Sequence, residues 1–287
     1  MKTKRTVGIV VDSTCGNLFK ETIFKDASIV PLTMLVDEAS YVDGTLSNSQ
    51  LLEYMHKNHK VTTSQPAPDL FIEAYKEQLA LGYESVICLV LSGGLSGTIN
   101  SATLAKTILG NENVIVIDTQ TVGPGVAFLL ERLNQYLEDG LTAKEAAEKL
   151  MKKQAVKGQL LFSVDHLGTL VKGGRLTKLE ALIGNILKIK PILKFESSKL
   201  TVEKKARGAE AVFKYLVGEV KKALTAGVKI VAKVVFVDDP VPAKELIHEL
   251  AQIEDENLEI ELYGAISPVV ATHLGYRGIG IYINQVI

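Results

Sequence analysis

The sequence predicts an α/β protein of two lobes, with a parallel sheet flanked by helices in the N-terminal lobe and a mixed or antiparallel sheet with helices in the C-terminal lobe. Three observations carry this expectation. Through the first half, short apolar β-branched runs alternate with amphipathic helical stretches, the pattern of strands buried on both faces. In the second half closely spaced strand-like runs read as a hairpin, which a purely parallel sheet does not contain. At 287 residues and 47% hydrophobic content, with a mean hydropathy of +0.19, the chain is long and apolar enough to bury a sizeable core.

Each element has a local cause. The first strand is expected over 6–11, where an apolar β-branched run ends at Asp12-Ser13-Thr14, and a second apolar run covers 28–36. Ser47 and Gln50 stand at capping-box spacing ahead of Leu51 and Leu52, so a helix starts there. Pro68-Asp69 opens the next helix, where proline sacrifices no needed N–H, and Gly82 ends it. A strand over 85–91, a helix over 96–109, a strand over 114–118 and a helix over 124–138 closed by Gly140 follow. Thr142 and Glu145 form a second capping box, starting a helix that runs to about 155. Beyond it come a strand over 160–164, an apolar helix over 176–187 broken by Pro191, and a hairpin-like pair over 192–195 and 200–204. A helix over 209–225, a strand over 229–237, a helix over 243–253 and strands over 258–265 and 279–283 complete the chain. The pattern switches near 157, which sets the lobes at 1–157 and 158–287.

Composition and motifs exclude several classes. Net charge is −1, with 32 basic and 33 acidic residues interspersed, so no basic stripe tracks a phosphate backbone and nucleic acid is not an expected partner. No stretch approaches the roughly eighteen uninterrupted apolar residues of a membrane helix, so no transmembrane segment is expected. The apolar run behind Met1-Lys2-Thr3-Lys4-Arg5 stops at Asp12 and is no signal peptide; the expected location is cytoplasmic. Cys15 and Cys88 lack C-x-x-C spacing and read as small buried hydrophobes. His56 and His59 read as a solvated helix face, and neither a metal nor a cofactor is expected. Walker A, GxSxG and a first-strand GxGxxG are all missing, and Gly123-Pro124-Gly125 lacks the third glycine of a dinucleotide loop. Asp12 and Asp118 each end a strand, where capping a turn is an aspartate's common role.

Two hydroxyl-rich segments stand apart, Thr62-Thr63-Ser64-Gln65-Pro66 and Leu91-Ser92-Gly93-Gly94-Leu95-Ser96-Gly97-Thr98. The second joins the strand over 85–91 to the helix over 96–109. Hydroxyls at such a turn lie beside free backbone N–H groups of a helix N-terminus, which makes an anion site. Ser96 also reads as a plain N-cap and the Thr63 segment as an extended turn. Capping leaves the accompanying glycines unexplained, because glycine destabilises unless backbone bends or something approaches closely. The chain is expected to hold a small negatively charged group.

Asp12-Ser13-Thr14, Thr63-Ser64-Gln65-Pro66, Leu95-Ser96-Gly97-Thr98, Val116-Ile117-Asp118, Lys172-Gly173-Gly174-Arg175, Leu187-Lys188-Ile189-Lys190-Pro191 and Thr272-His273-Leu274-Gly275 occur in the order seen in the DegV family, which the chain resembles over nearly its whole length. The resemblance implies a two-lobed bacterial α/β protein that binds one long-chain fatty acid, such as palmitate, in a tunnel between the lobes. It further implies that the protein is not itself an enzyme but presents the carboxylate to a fatty acid kinase. Carried over residue by residue, it makes Thr63 and Ser96 the carboxylate ligands, places His273 near the head group, and makes Arg175 a surface position for docking the kinase. Where relatives continue with Gly-Pro-Gly, this chain has Gly275-Tyr276-Arg277, followed by Gly278. Leu160, Leu161, Phe162, Leu167, Leu170, Leu182, Ile183, Ile186, Leu187, Ile192 and Leu193 read as tunnel wall or ordinary core. The rival readings are a small-molecule phosphotransferase subunit, an atypical serine hydrolase using Ser96 with His273, and a protein whose lipid is purely regulatory.

Overall fold

The computed structural model describes residues 5–16, 23–165, 167–176, 189–196, 198–224 and 227–286. The chain divides into two compact units, Met1–Thr45 with Thr63–Val156 and Leu46–Thr62 with Lys157–Ile287. This division differs from the reading of lobes at 1–157 and 158–287 over one segment, 46–62, which packs with the C-terminal residues. The cause is local. Helix α1 (Asn48–His56) packs on α9 (Pro268–Leu274), and the Asn48 amide donates to the carbonyls of Val237 and Ile266.

The first unit is built on a four-stranded parallel sheet of order β2-β1-β6-β7, formed by β1 (Val7–Asp12), β2 (Ser28–Val30), β6 (Ser85–Val90) and β7 (Val114–Asp118). Alternate residues Val10, Val86, Cys88 and Val90 pack with Phe71, Ala74 and Tyr75 of α2 (Pro68–Ala80) and with Ala102 and Ala105 of α3 (Thr98–Leu109). Ile9, Val11, Ile87 and Leu89, on the opposite face by strand alternation, are fully buried too. The near-continuous apolar strands are thus explained: both faces are covered. Helices α4 (Pro124–Glu138) and α5 (Ala143–Lys157) follow, α5 beginning at the expected reciprocal bonds between Thr142 and Glu145.

The run over 28–36 is not one strand. Pro31, which has no N–H for a ladder, separates β2 from β3 (Thr33–Val36), and β3 lies in a different, three-stranded sheet of order β4-β3-β5 with β4 (Ala39–Val42) and β5 (Val61–Ser64).

The second unit holds a six-stranded sheet of order β10-β9-β8-β13-β11-β12. Its strands are β8 (Gln159–Ser163), β9 (Ile189–Glu196), β10 (Lys199–Arg207), β11 (Ile230–Phe236), β12 (Leu258–Ala265) and β13 (Ile279–Gln285). Every neighbouring pair is antiparallel except β11 with β12, so the sheet is mixed. Leu161, Ile192, Ala232, Val234, Ile281 and Ile283 form one core with α7 (Gly208–Leu224) and α8 (Val241–Ala251). Short α6 (Gly168–Lys172) follows β8. The expected helix over 176–187 falls, after Leu176, outside the described residues, as do Leu182, Ile183, Ile186 and Leu187 of the expected tunnel wall. No described helix is long and apolar enough to cross a membrane.

Candidate functional site

The site is carried by the turn between β6 and α3. Ser92, fully buried, receives its place from its N–H, which donates to Thr121 O at 2.8 Å, and its hydroxyl accepts from Gly94 N at 3.1 Å. Gly93 N donates to both oxygens of Asp118 at 3.2 Å, and a Cβ there would stand 2.9 Å from Asp118 Oδ2. Asp118 therefore ties down the turn after β6 as well as its own, accepting from Gln120 N at 2.9 Å. Gly97 is required for a different reason: a Cβ on it would collide with Oε1 of Gln65. Gln65 Nε2 donates in turn to Ser101 Oγ at 2.9 Å in α3. Through Gln65 the fold brings the Thr63-Ser64-Gln65-Pro66 segment onto the Ser96-Gly97-Thr98 turn. The two hydroxyl segments form one site.

Within it, Thr63 and Ser96 are both half-buried. Thr63 lies in β5 and shares its inner face with Val61, while Thr62 and Ser64 are exposed. The extended turn expected there is a strand. Ser96 precedes Gly97, the actual N-cap of α3, so Ser96 is not the cap. Its Oγ lies 2.9 Å from the buried Thr98 hydroxyl and accepts from Thr98 N at 3.3 Å. Asn100 and Ser101 N–H groups turn back to Gly97 O, so part of the expected free N-terminal N–H set is already engaged. The hydrogen-bond partners of Ser96 Oγ among the described residues are both from Thr98; neither an imidazole nor a carboxylate is among them. That arrangement sets the Ser96 and Thr98 hydroxyls side by side and gives Ser96 no base among the described residues. Gln65 and Thr98 are the site residues that the sequence reading missed; the i, i+2 spacing of Ser96 and Thr98 was the available signal.

Beneath this turn, Asp12 is fully buried and accepts from Leu91 N, from Thr14 N at 2.9 Å and from Thr14 Oγ1. Burial pushes its carboxyl up to about 6, against the opposing pull of those hydrogen bonds. It fixes the end of β1 to the entry of the Ser92–Ser96 turn, the structural role expected of it.

His273 and Arg175 lie in the second unit. His273 sits in the last turn of α9, a helix the sequence reading did not anticipate. A Cβ on Gly173 would stand 2.5 Å from its Nδ1, so Gly173 exists to admit the imidazole, while Gly174 takes a left-handed φ of 72° to turn the chain. Arg175 is half-buried rather than fully on the surface, and its Nη1 donates to Gly173 O at 2.5 Å. Burial first, then the Arg175 charge, lowers the His273 pKa from 6.5 to about 4. At neutral pH His273 is therefore an uncharged donor and acceptor. Because the folded value is depressed, its contribution to stability is whole above pH 6.5 and is lost as pH falls toward 4. Urea titrations at pH 7 and pH 4.5 are expected to show a smaller acid loss in His273→Gln than in the parent; equal losses would remove His273 from the account.

The Tyr276-Arg277 departure has a structural use. Tyr276 OH donates to Leu52 O of α1 at 2.9 Å, and the Tyr276 ring meets His56 edge-on at 6.3 Å. His59 likewise stacks edge-on with Tyr54 at 5.4 Å. Among the described residues no group of three or more His, Cys, Asp or Glu side chains is placed to hold a metal ion, and neither buried cysteine forms a disulfide.

Fold and turn together define an α/β protein whose parallel-sheet unit brings the Thr63 segment and the Ser96–Thr98 hydroxyls to one turn. The chain belongs to the DegV family: the model of that family, described as an uncharacterised protein family, matches residues 6–285. A DegV domain-containing protein of Staphylococcus aureus is 30% identical over 284 residues, covering 96% of this chain and 97% of that protein. Among solved structures, a DegV family protein from Thermus thermophilus described for fatty acid binding matches with a TM-score of 0.87 at 27% identity, over 98% of this chain and all, 100%, of that one. The fatty acid kinase B3 protein of Streptococcus pneumoniae, solved loaded with linoleic acid, matches with a TM-score of 0.83 at 27% identity, over 96% and 98% of the two chains.

Proposed function

We propose that this protein binds a long-chain fatty acid such as palmitate, holds its carboxylate with Thr63 and Ser96, and presents it to a fatty acid kinase. The observation that carries this reading is the convergence of the Thr63 and Ser96 segments through Gln65 and Gly97, in a chain whose solved relatives are described with fatty acids. Affinity comes from the tail. Burial contributes about 0.8 kcal/mol per CH₂, on the order of 11 kcal/mol gross for a C16 chain before association costs. The head group needs only orientation, for which neutral hydroxyls worth together ~1–3 kcal/mol suffice. A buried lysine or arginine on the carboxylate would blunt its nucleophilicity toward a phosphoryl donor, whereas hydroxyls leave it charged and reactive. The neutral His273 adds a hydrogen bond to the head group without adding charge, and Arg175 contributes to docking of the kinase. The protein performs no chemistry of its own in this reading. Ser96 lacks a base among its partners, which weighs against the hydrolase alternative.

The test is mass spectrometry of an organic extract of the denatured, purified protein. An equimolar long-chain fatty acid is expected; a protein free of acyl chains that also takes none up from solution overturns the proposal. Arg175→Ala is expected to keep the fatty acid but to lose at least tenfold of acyl-phosphate formation with a cognate kinase. Undiminished formation would withdraw the docking role.

A further inference from the structure

The face of the six-stranded sheet that carries α7 and α8 holds a cavity of about 410 Å³ at the carboxyl ends of β8 and β11. Neither Thr63, Ser96, His273 nor Arg175 lines it, so it is separate from the site described above. Ser163 lines it from the end of β8. That residue is only 3% exposed, and its hydroxyl has no hydrogen-bond partner among the described residues. Strand alternation directs Ser163 to the same face as Leu161, the face covered by α7 and α8. Two cations join it. Lys190 enters from β9, with Nζ 2.7 Å from Asp165 and further donors to spare. Arg277 has no partner among the described residues, although it is held at φ 49°, a left-handed conformation that arginine adopts only under strain. Among the described residues one carboxylate lines the cavity, Asp239, and its Oδ1 accepts from Val241 N at 2.9 Å at the start of α8. Val212 and Phe213, early in α7, supply an apolar wall.

We propose that this cavity binds the phosphoryl group of a small molecule, either free phosphate or a phosphate monoester. Arg277 offers the planar fork that pairs with two phosphoryl oxygens, Lys190 a point charge, and Ser163 a buried donor. The Ser163 hydroxyl, which opens onto the cavity, donates to the phosphoryl group, and the left-handed arginine gains a reason for its place. Asp239 sets a preference: a monoester that carries an amine satisfies it.

Thermal unfolding of the full chain tests this, with phosphate or O-phosphoethanolamine titrated against chloride at matched ionic strength. The parent is expected to show a saturable rise in melting temperature with at least one of them. Arg277→Gly, which suits the left-handed φ, and Ser163→Ala are each expected to raise the apparent Kd at least tenfold while circular dichroism and fatty acid content stay unchanged. Tighter binding of O-phosphoethanolamine than of phosphate assigns the site to an amine-bearing monoester; the reverse order assigns it to free phosphate. An equal rise in Arg277→Gly, or no rise in the parent with either compound, overturns the proposal. Should Ser163→Ala fail to fold, Arg277→Gly alone decides.

Discussion

Replacing Thr63 and Ser96 together by alanine is expected to weaken fatty acid binding by roughly a hundredfold, with single replacements costing about tenfold or more. In the proposed complex each hydroxyl donates to the carboxylate, a charge-assisted bond of about 1.5–3 kcal/mol, and every 1.4 kcal/mol is about tenfold in affinity. Two tenfold losses multiply to about a hundredfold, and water entering the emptied site holds the pair near that lower limit. The fold survives because both residues are half-buried. The local duty of Ser96, accepting from Thr98 N, is a bond worth about 1 kcal/mol. Calorimetric titration of palmitate into delipidated protein reads the effect. Affinities within twofold of the parent, in a folded double variant, would remove these residues from the head-group site.

The largest expected loss of stability follows Asp12→Ala. Leu91 N, Thr14 N and Thr14 Oγ1 all point at this carboxylate in a fully buried place. Buried donors left without an acceptor cost about 1–3 kcal/mol each, offset in part because an ionised carboxylate is itself unfavourable there. A net loss of about 2–4 kcal/mol at pH 7 is expected. The effect has a pH signature. Since the folded value is raised from 3.8 to about 6, the folded state binds more protons than the unfolded chain between these limits, and the parent gains stability from Asp12 as pH falls through that window. The alanine variant lacks this gain, so its deficit widens by on the order of 2 kcal/mol between pH 7 and pH 4.5. Urea unfolding at the two pH values measures it; a deficit that is constant or shrinks on acidification contradicts the burial argument. The expected sign is opposite to that for His273, which makes the pair of variants mutually controlling.

The legible parts of this fold are those with a local cause. The capping box of Ser47 and Gln50, the proline at the start of α2, and the Thr142–Glu145 pair put helix starts within a residue or two of where they occur. Strands β7 and β12 span the expected residues, 114–118 and 258–265. Other elements exist only because of distant neighbours. β4 and β5 are four residues each and lack a buried apolar run, so pairing with β3 rather than composition makes them strands. Pro31 was visible in the sequence, but its force, sending β2 and β3 to different sheets, comes from a ladder that its missing N–H cannot join. Of the site, the segment over 91–98 stands out by its glycines and the segment over 62–66 by its run of hydroxyls. That Gly97 makes room for Gln65, and Gly173 for His273, is a long-range fact no local pattern encodes. The assignment of segment 46–62 to the second unit likewise rests on Asn48 and Tyr276, remote in sequence and joined by hydrogen bonds to distant carbonyls.

A crystal structure of the protein with palmitate bound tests the central claim most directly. The carboxylate oxygens are predicted to lie within about 3 Å of both Thr63 Oγ1 and Ser96 Oγ. An ordered palmitate whose carboxylate rests elsewhere, with those two hydroxyls bonded only to water or protein, would contradict it.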